Sequence, residues 1–331
     1  MKAFTIAGYG LPLLAADLPE PTLGAHDVLV DVRATSINQL DIKIAEGAFK
    51  AFLPHPFPLT LGHDVAGIVT ATGANVTRFT TGDRVYGRVR DGRIGTFAER
   101  IAVAEDDLAV APTSISLEEA ASLPLVALTA WQALVELGNV QPRQKILIHA
   151  GAGGVGSIAI QIAKHLGAIV ATTVSAANAD LARSLGADIT IDYRTQDFEN
   201  ELTGFDLVLD SLGGENLHKS LRVLRPGGRA IGISGPPTPA FARSMGANLI
   251  VRAVISRLSA MTRRHARTLG VDYDFLWMRA SGEQLTKITD LVDTGIIRPV
   301  VAQTYPFEQT PEALAALTTG GHPGKIVTHR D

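Results

Sequence analysis

Three glycines at a fixed spacing mark the segment whose residues are best suited to bind a phosphate. Gly151, Gly153 and Gly156 form a G-x-G-x-x-G pattern between a short apolar run and a helical stretch. The first glycine permits a tight turn, the second lets backbone N–H groups approach a pyrophosphate, and the third allows close packing of helix on strand. Gly154 and Val155 complete a first helical turn with partial positive charge. The segment is therefore predicted to bind a dinucleotide.

The residues after the next apolar run bear on which dinucleotide binds. NAD-binding versions of the pattern usually place Asp or Glu about 20 residues further on, where it holds the ribose hydroxyls. Here the run leads into Ser175 and Asn178 without a carboxylate. Both side chains can donate hydrogen bonds to a 2′-phosphate, so NADPH is favoured over NADH. The nearest basic residue, Arg183, lies a full turn beyond this loop.

Two patterns of residue types along the chain indicate the secondary-structure elements that position these residues. Up to about residue 120, short β-prone runs alternate with Gly-containing turns, which is typical of a mostly antiparallel β domain. From about residue 125, apolar runs alternate with helical stretches, which predicts a doubly wound parallel sheet of the Rossmann type. We expect a β-rich domain over 1–124, a dinucleotide-binding domain over 125–297, and a return to the first domain over 298–331.

Residues 236–270 follow neither of these two sequence patterns. Three prolines open the segment, and six arginines follow without one acidic residue. A solvated basic helix pair packed on the body is the favoured interpretation. A lid over the substrate, or a contact with an anionic surface, is the alternative.

The composition of the chain limits the classes of protein to which it can belong. The chain has 331 residues, 46% of them hydrophobic, and 30 basic against 33 acidic residues give a net charge of −3. Such a chain carries no global field for nucleic acid. Cysteine is absent, which excludes disulfides and thiolate metal ligands. The N-terminus does not resemble a signal peptide and no apolar stretch is long enough to span a membrane, so a cytoplasmic protein is expected.

Several separated motifs, in order, resemble the medium-chain dehydrogenase/reductase superfamily, and most closely its zinc-independent quinone oxidoreductase and alkenal/enone reductase branch. They extend over essentially the whole chain: SINQLDIKIAEG (36–47), LGHDVAG (61–67), TGDRVYG (81–87), LPLVALTAWQAL (123–134), HAGAGGVG (149–156), LGADITIDYRTQDF (185–198) and HPGKIV (322–327). The resemblance implies a GroES-like catalytic domain built from both chain ends around a Rossmann domain. It also implies a homodimer, commonly joined through the Rossmann sheets.

The resemblance also implies roles for individual residues. Asn38 and Lys43 would fix the nicotinamide ribose, and Lys43 would stabilise enolate charge on the substrate. The remaining cofactor contacts carried over are Thr129, Tyr193, Leu212, Gly213, Ser234, Leu276, Trp277, Gly324 and Lys325. Phe49 and Phe52 are expected to contact substrate because they follow the Asn–Lys segment closely. No proton donor is evident; Tyr86 is a candidate, although a core role is favoured for it.

His63 raises the question of metal. Zinc-containing members of the superfamily use the His of this motif together with two cysteines, and the first cysteine corresponds to Asn38 here. Because soft donors are lacking, no metal is expected. His63 is expected either to line the substrate site or to be an ordinary buried histidine.

Without a Lewis acid, an alcohol or simple ketone would not be polarised, which leaves acceptors already electrophilic at carbon. We therefore expect an NADPH-dependent reductase of enones or enals, or of quinones. A non-catalytic NADPH-binding protein with a structural or regulatory role is the alternative from another class.

Overall fold

The structure, a computed structural model, describes residues 1–51 and 53–330 and contains two compact units. The first unit comprises Met1–Leu128 and the chain from Arg279 onward, and the second comprises Thr129–Met278. The chain therefore returns to the first unit earlier than the expected residue 298. The reason is that the helix Gly282–Asp293 packs on the strand Leu108–Val110 of the first unit.

The described residues form sixteen strands and twelve α-helices, numbered here in chain order. The strands are β1 Lys2–Ile6, β2 Leu14–Asp17, β3 Asp27–Ile37, β4 Leu59–Thr60, β5 Asp64–Thr72, β6 Arg84–Arg88, β7 Arg100–Ala104, β8 Leu108–Val110, β9 Lys145–Ile148, β10 Ile169–Val174, β11 Ile189–Asp192, β12 Phe205–Asp210, β13 Leu224–Gly232, β14 Asp272–Phe275, β15 Val301–Pro306 and β16 Lys325–His329. The helices are α1 Gln39–Ala45, α2 Leu117–Ala121, α3 Pro124–Trp131, α4 Gly154–His165, α5 Ala179–Ser184, α6 Phe198–Glu201, α7 Gly214–Val223, α8 Pro239–Ser244, α9 Leu249–Leu258, α10 Ala260–Leu269, α11 Gly282–Asp293 and α12 Thr310–Thr319.

The first unit is β-rich, as predicted. Its larger sheet has the order β15-β16-β3-β5-β6-β8, with β7 paired to β3, and a smaller sheet has the order β2-β1-β4. Val28, Val30 and Val32 alternate along β3 and point into a fully buried core, because successive side chains of a strand face opposite sides. The long strand β3 also pairs with β16, so the C-terminal segment completes this sheet.

The second unit contains a six-stranded sheet in the order β11-β10-β9-β12-β13-β14, with every pair parallel. This is the doubly wound arrangement predicted from the alternating pattern. Helix α4 buries every residue from Gly156 to Ala163. These include Ile158, Ala159, Ile162 and Ala163, whose spacing of three and four places them on one face. The carboxyl ends of β9, β10, β12 and β13 therefore meet at one edge of the sheet.

Two segments differ from what their residue types favour. Pro226, Gly227 and Gly228 favour a turn, yet they lie inside β13, where the pairing with β12 shifts register between Phe205 and Leu207. The extra residues are absorbed as an irregularity in the strand. The segment 236–270 forms three helices, α8, α9 and α10, rather than a pair.

Among the residues that the structure describes, none of the helices is both long and apolar enough to cross a lipid bilayer.

Candidate dinucleotide site and active site

The glycine turn after β9 has no room for side chains at two of its three glycines. A Cβ on Gly156 would lie 2.2 Å from the carbonyl oxygen of Ala150, and a Cβ on Gly151 would lie 2.1 Å from Thr172 Oγ1. On Gly153 the nearest atom would be the Ala150 oxygen, at 3.2 Å. The first and third glycines therefore serve close packing, whereas the second leaves the backbone open to an approaching ligand.

The first turn of α4 is arranged to receive an anion. Gly153 is the N-cap residue, and no side chain caps the helix. Gly154 and Val155, the next two residues, are only partly buried. Because the first N–H groups of a helix lack acceptors within the helix, they can donate to a phosphate, and the helix dipole favours negative charge there.

A buried histidine holds the base of this turn. His149 Nδ1 lies 3.1 Å from Thr173 Oγ1, and His149 Nε2 lies 2.8 Å from Ser220 Oγ. The Ser220 hydroxyl also lies 3.3 Å from Asp210 Oδ2, and the Ala150 N–H donates to Thr173 Oγ1 over 3.2 Å. Burial lowers the pKa of His149 to about 4 and raises the pKa of Asp210. A neutral imidazole thus joins β9, β10 and α7 beneath the turn.

A cavity of about 290 Å³ opens at the carboxyl end of β10. Ser175 and Arg183 line it together with Asp180, Asp192 and Gln196. The Arg183 guanidinium lies 2.9 Å from Asp180 Oδ1 and 2.9 Å from Thr190 Oγ1. The cavity, next to the glycine turn, thus offers a phosphate group a hydroxyl and a guanidinium, and it also contains the carboxylates of Asp180 and Asp192.

Asn178 does not line this cavity. Its backbone N–H donates to the carbonyl oxygen of Ser175 over 2.9 Å, and it precedes α5 without capping it through its side chain.

Other residues expected at the cofactor lie at the same edge of the parallel sheet. The N–H groups of Leu212 and Gly213 donate to Asp210 Oδ1 over 3.2 and 2.6 Å, which fixes the turn after β12. A Cβ on Gly213, where φ is +69°, would approach the carbonyl oxygen of Ser234 to 2.8 Å. The turns after β12 and β13 therefore lie side by side.

The remaining residues of this unit are placed as follows. Tyr193 is exposed after β11, with the Arg194 guanidinium over its ring. Leu276 is buried after β14 and donates its N–H to Gly232, and the Trp277 ring lies near Phe241. Thr129 is buried within α3.

The first unit contains a buried polar cluster made of Ser36, Asn38, Asp41, His63, Asp64 and Lys325, each less than a tenth exposed. The Asn38 side-chain amide donates to Asp64 Oδ2 over 2.8 Å, and its oxygen accepts a hydrogen bond from Lys325 Nζ. Asp64 also accepts from Ser36 Oγ over 2.6 Å. Both ends of the Asn38 amide are thus held by charged neighbours.

Lys325 brings the C-terminal segment into this cluster. Its ammonium donates to the Ile37 carbonyl oxygen over 2.8 Å and lies 3.7 Å from Asp64 Oδ2. Burial lowers the pKa of Lys325, and the charges of Asp64 and Asp41 oppose that effect. A buried ammonium requires such a partner, because an unpaired charge is costly away from water. The preceding Gly324 has φ of +87° and passes close to the Val300 carbonyl, which leaves no room for a side chain.

His63 has one partner on the ring. Its Nδ1 lies 2.6 Å from Asp41 Oδ1, and Asp41 Oδ2 accepts the Asn38 N–H over 2.8 Å. His63 Nε2 is buried without a hydrogen-bond partner among the described residues. The ring is therefore oriented by Asp41 and leaves one nitrogen available.

Lys43 lies on α1, whose N-cap residue is Asn38. Lys43 is partly exposed, and its ammonium forms no hydrogen bond or ion pair with residues of the described chain. Phe49 packs against the core that contains Phe4 and Ile44. Phe52 lies outside the described residues. Tyr86 is fully buried, and its hydroxyl donates to the Leu285 carbonyl over 2.8 Å, so the favoured core role agrees with its position.

Comparisons with known proteins identify the family of the chain. Residues 24–113 match the family described as "Alcohol dehydrogenase GroES-like domain", and residues 185–328 match "Zinc-binding dehydrogenase". The chain is 34% identical to the mitochondrial NAD(P)H oxidoreductase RTN4IP1 of Mus musculus, over 92% of this chain and 82% of that protein. It is also 34% identical to 2-methylene-furan-3-one reductase of Solanum lycopersicum, over 99% of this chain and 79% of that protein.

Solved structures show the same fold. The quinone oxidoreductase from Coxiella burnetii has a TM-score of 0.85 at 29% identity and covers 100% of this chain and 99% of its own. The quinone oxidoreductase of Escherichia coli, complexed with NADPH, has a TM-score of 0.82 at 27% identity, with 100% of both chains covered. The chain belongs to the medium-chain dehydrogenase/reductase superfamily, in its quinone oxidoreductase and alkenal/enone reductase branch, as predicted.

The donor set of this chain does not fit the zinc ion that one family description implies. Among the described residues, no group of three or more His, Asp or Glu side chains is placed to hold a metal ion, and the sequence contains no cysteine. Within the buried polar cluster His63 Nε2 is unengaged, while the amide of Asn38 is bound by Lys325 and Asp64. A tetrahedral zinc site requires three or four converging donors.

Several neighbours of the predicted site residues are not evident from sequence. Arg183 lies a full turn beyond the loop in sequence, yet it lines the cavity with Ser175, since α5 packs against β11. Ser36 and Lys325 are 289 positions apart and meet only because β16 pairs with β3. The available signal was the short spacing of Ser36, Asn38 and Asp41 around the start of α1.

The buried His149 predicts a pH dependence of stability. Its folded pKa of about 4 lies below the ordinary value of 6.5, so the unfolded chain binds a proton first as the pH falls. Its contribution is fully present above pH 6.5 and declines toward pH 4, by about 3 kcal/mol in total. Urea unfolding across this range is expected to show a flatter pH profile for His149→Gln than for the wild type. His322→Gln serves as control, and parallel profiles for wild type and His149→Gln would contradict the assignment.

Proposed function

We propose that this chain is an NADPH-dependent, zinc-independent oxidoreductase that delivers hydride to the activated C=C bond of an enone or enal, or to a quinone. The observation that carries the proposal is the open glycine turn with an uncapped helix N-terminus beside a cavity lined by Ser175 and Arg183. The relatives named for furanone and quinone reduction, and the NADPH-bound neighbour, support it.

The residues present fit the cofactor. Gly153, Gly154, Val155 and the rest of the first turn of α4 would hold the pyrophosphate through backbone N–H groups. Ser175 and Arg183 would hold a 2′-phosphate, because guanidinium and hydroxyl groups donate hydrogen bonds to it. When bound, reduced nicotinamide supplies the hydride.

The residues proposed to act on the substrate belong to the first unit. Asn38 begins α1, and Lys43 follows one turn later with a free ammonium as far as the structure describes the chain. An ammonium aimed at a carbonyl oxygen stabilises the negative charge that develops there during reduction. The buried polar cluster holds Asn38 rigidly, so that α1 presents Lys43 from a fixed base.

The class of acceptor follows from the donor set. With no metal to polarise an alcohol or simple ketone, the acceptor must be electrophilic at carbon before it binds. Enones, enals and quinones meet this condition. His63, with Nε2 unengaged, and Phe49 are proposed to line the substrate site.

NADPH oxidation at 340 nm with a panel of enones and quinones tests the function. Wild type is expected to turn over at least one acceptor, and Lys43→Ala to lower kcat by about 100-fold, the usual loss on removing a group that stabilises developing charge. Lys50→Ala, which removes a neighbouring exposed lysine, is the control and should retain activity. Binding of NADPH without turnover on any acceptor would instead favour a non-catalytic NADPH-binding protein.

Cofactor preference tests the 2′-phosphate site. Ser175→Asp adds a carboxylate to those of Asp180 and Asp192 at the cavity, and the added repulsion should lower the NADPH-to-NADH ratio of kcat/KM by at least about tenfold, or 1.4 kcal/mol. Arg183→Gln should lower the same ratio by removing a charged donor. Arg143→Gln is the control at an exposed arginine. If the NADPH-to-NADH ratio of kcat/KM were unchanged in both cavity variants, the proposal that the 2′-phosphate binds in this cavity would be wrong.

Two further expectations remain proposals. We propose a homodimer joined through the Rossmann sheets, which is supported by the position of β14 at an open edge of its sheet, since edge strands offer unpaired backbone groups. We also propose a cytoplasmic location. Sedimentation equilibrium tests the first, and fractionation of the producing cells tests the second.

A further inference from the structure

The helices after β13 carry an exposed apolar face that the proposed function does not use. Leu249, Ile250, Val254, Leu258 and Met261 are between 53% and 77% exposed. We call these five side chains, with the neighbouring Arg257 and Arg264, the docking face. Contiguous exposure of large apolar side chains marks an interaction surface, because isolated ones are ordinary but a patch of them is costly in water.

The apolar side chains share one side of their helix. At about 100° per residue, Leu249, Ile250, Val254 and Leu258 fall within about half the circumference of α9. Ile255, on the opposite side, is buried. Met261, near the start of α10, is also exposed. The sequence thus builds an amphipathic helix whose outer side is the more apolar one.

The body of the unit holds these helices in place. α10 packs against α7 and β14 and buries Thr262 and Ala266. Arg263 braces the junction, because its guanidinium donates to the Ser256 carbonyl over 2.9 Å and to Ser259 Oγ over 3.2 Å. α10 is therefore anchored to the body of the unit, and Arg263 ties the end of α9 to it.

The charge of the segment identifies the partner. Residues 236–270 contain six arginines and no acidic residue. Arg257 and Arg264 are exposed beside the apolar side chains, and neither has an ion-pair partner in the described part of the chain. A partner that covers apolar side chains and neutralises only positive charge must itself be apolar and anionic.

We propose that the docking face binds the surface of a bilayer that contains anionic lipids, with α9 lying in the plane of the interface. Apolar side chains at this depth enter the acyl boundary, while arginines extend their guanidinium groups to lipid phosphates. A second copy of this chain fits less well, because a twofold contact would bring arginine against arginine. The proposal goes beyond the reductase function and stands without it.

Co-sedimentation of the full chain with vesicles tests the proposal. We expect binding to phosphatidylcholine vesicles containing one-third phosphatidylglycerol, weakening with added salt, and little binding to phosphatidylcholine alone. Arg257→Gln with Arg264→Gln should weaken the partition coefficient about fivefold for each arginine. Ile250→Ser with Leu258→Ser should weaken it by at least about tenfold.

Leu14→Ser and Arg143→Gln are the matched controls, since they change an exposed leucine and an exposed arginine outside the segment. They should bind vesicles as the wild type does. Melting temperature and NADPH turnover of every variant check that the fold is intact. Absence of binding to anionic vesicles at low salt overturns the proposal. So does equal binding by the face variants, or a change in their oligomeric state, which would assign the face to a second copy.

Discussion

The absence of side chains at Gly151 and Gly156 is the constraint on which the dinucleotide site depends. A Cβ at either position would overlap Thr172 or the Ala150 carbonyl. Because no Cβ occupies these positions, β9, β10 and α4 can approach one another closely. The first turn of α4 then directs its N–H groups toward the edge of the sheet. Ser175, Leu212 and Ser234 then follow the neighbouring strands at that same edge.

A second constraint operates in the first unit. There the requirement is that buried charged groups have partners. Lys325, Asp64 and Asp41 are held by Asn38, Ser36 and His63, and each charged group has a partner. Buried charges without partners cost several kcal/mol, so this cluster ties β16 to the start of α1. It also engages the side-chain amide of Asn38, which binds Lys325 and Asp64.

The parts of the fold with strong local signals were predictable from sequence. The G-x-G-x-x-G spacing and the apolar face of α4 specify a strand, a tight turn and a helix, and all three occur as expected. Val28, Val30 and Val32 show the alternation of a half-buried strand. At Pro226, Gly227 and Gly228 tertiary pairing overrides the turn preference of the residues, since β13 continues through this stretch with a shift in register.

Long-range contacts explain what the sequence did not predict at the site. Lys325 was expected at the cofactor from the resemblance alone, yet its ammonium binds Asn38 and Ile37 through strand pairing between distant segments. Arg183 joins Ser175 only when α5 folds over β11. Such contacts depend on sheet order, which local spacing does not encode. Individual roles in cofactor and substrate binding remain predictions that the variants above address.

The most direct test of the account is calorimetric titration of NADPH into wild type and Gly153→Val. The backbone at Gly153 is extended, and its Cβ position lies 3.2 Å from the Ala150 carbonyl oxygen, which is a tight contact. Valine should therefore lower the melting temperature but leave the chain folded, while blocking the approach of the pyrophosphate. The account predicts binding to wild type and at least about a hundredfold weaker binding to the variant. Folded wild type without affinity for NADPH, or a folded variant that binds equally well, would contradict it.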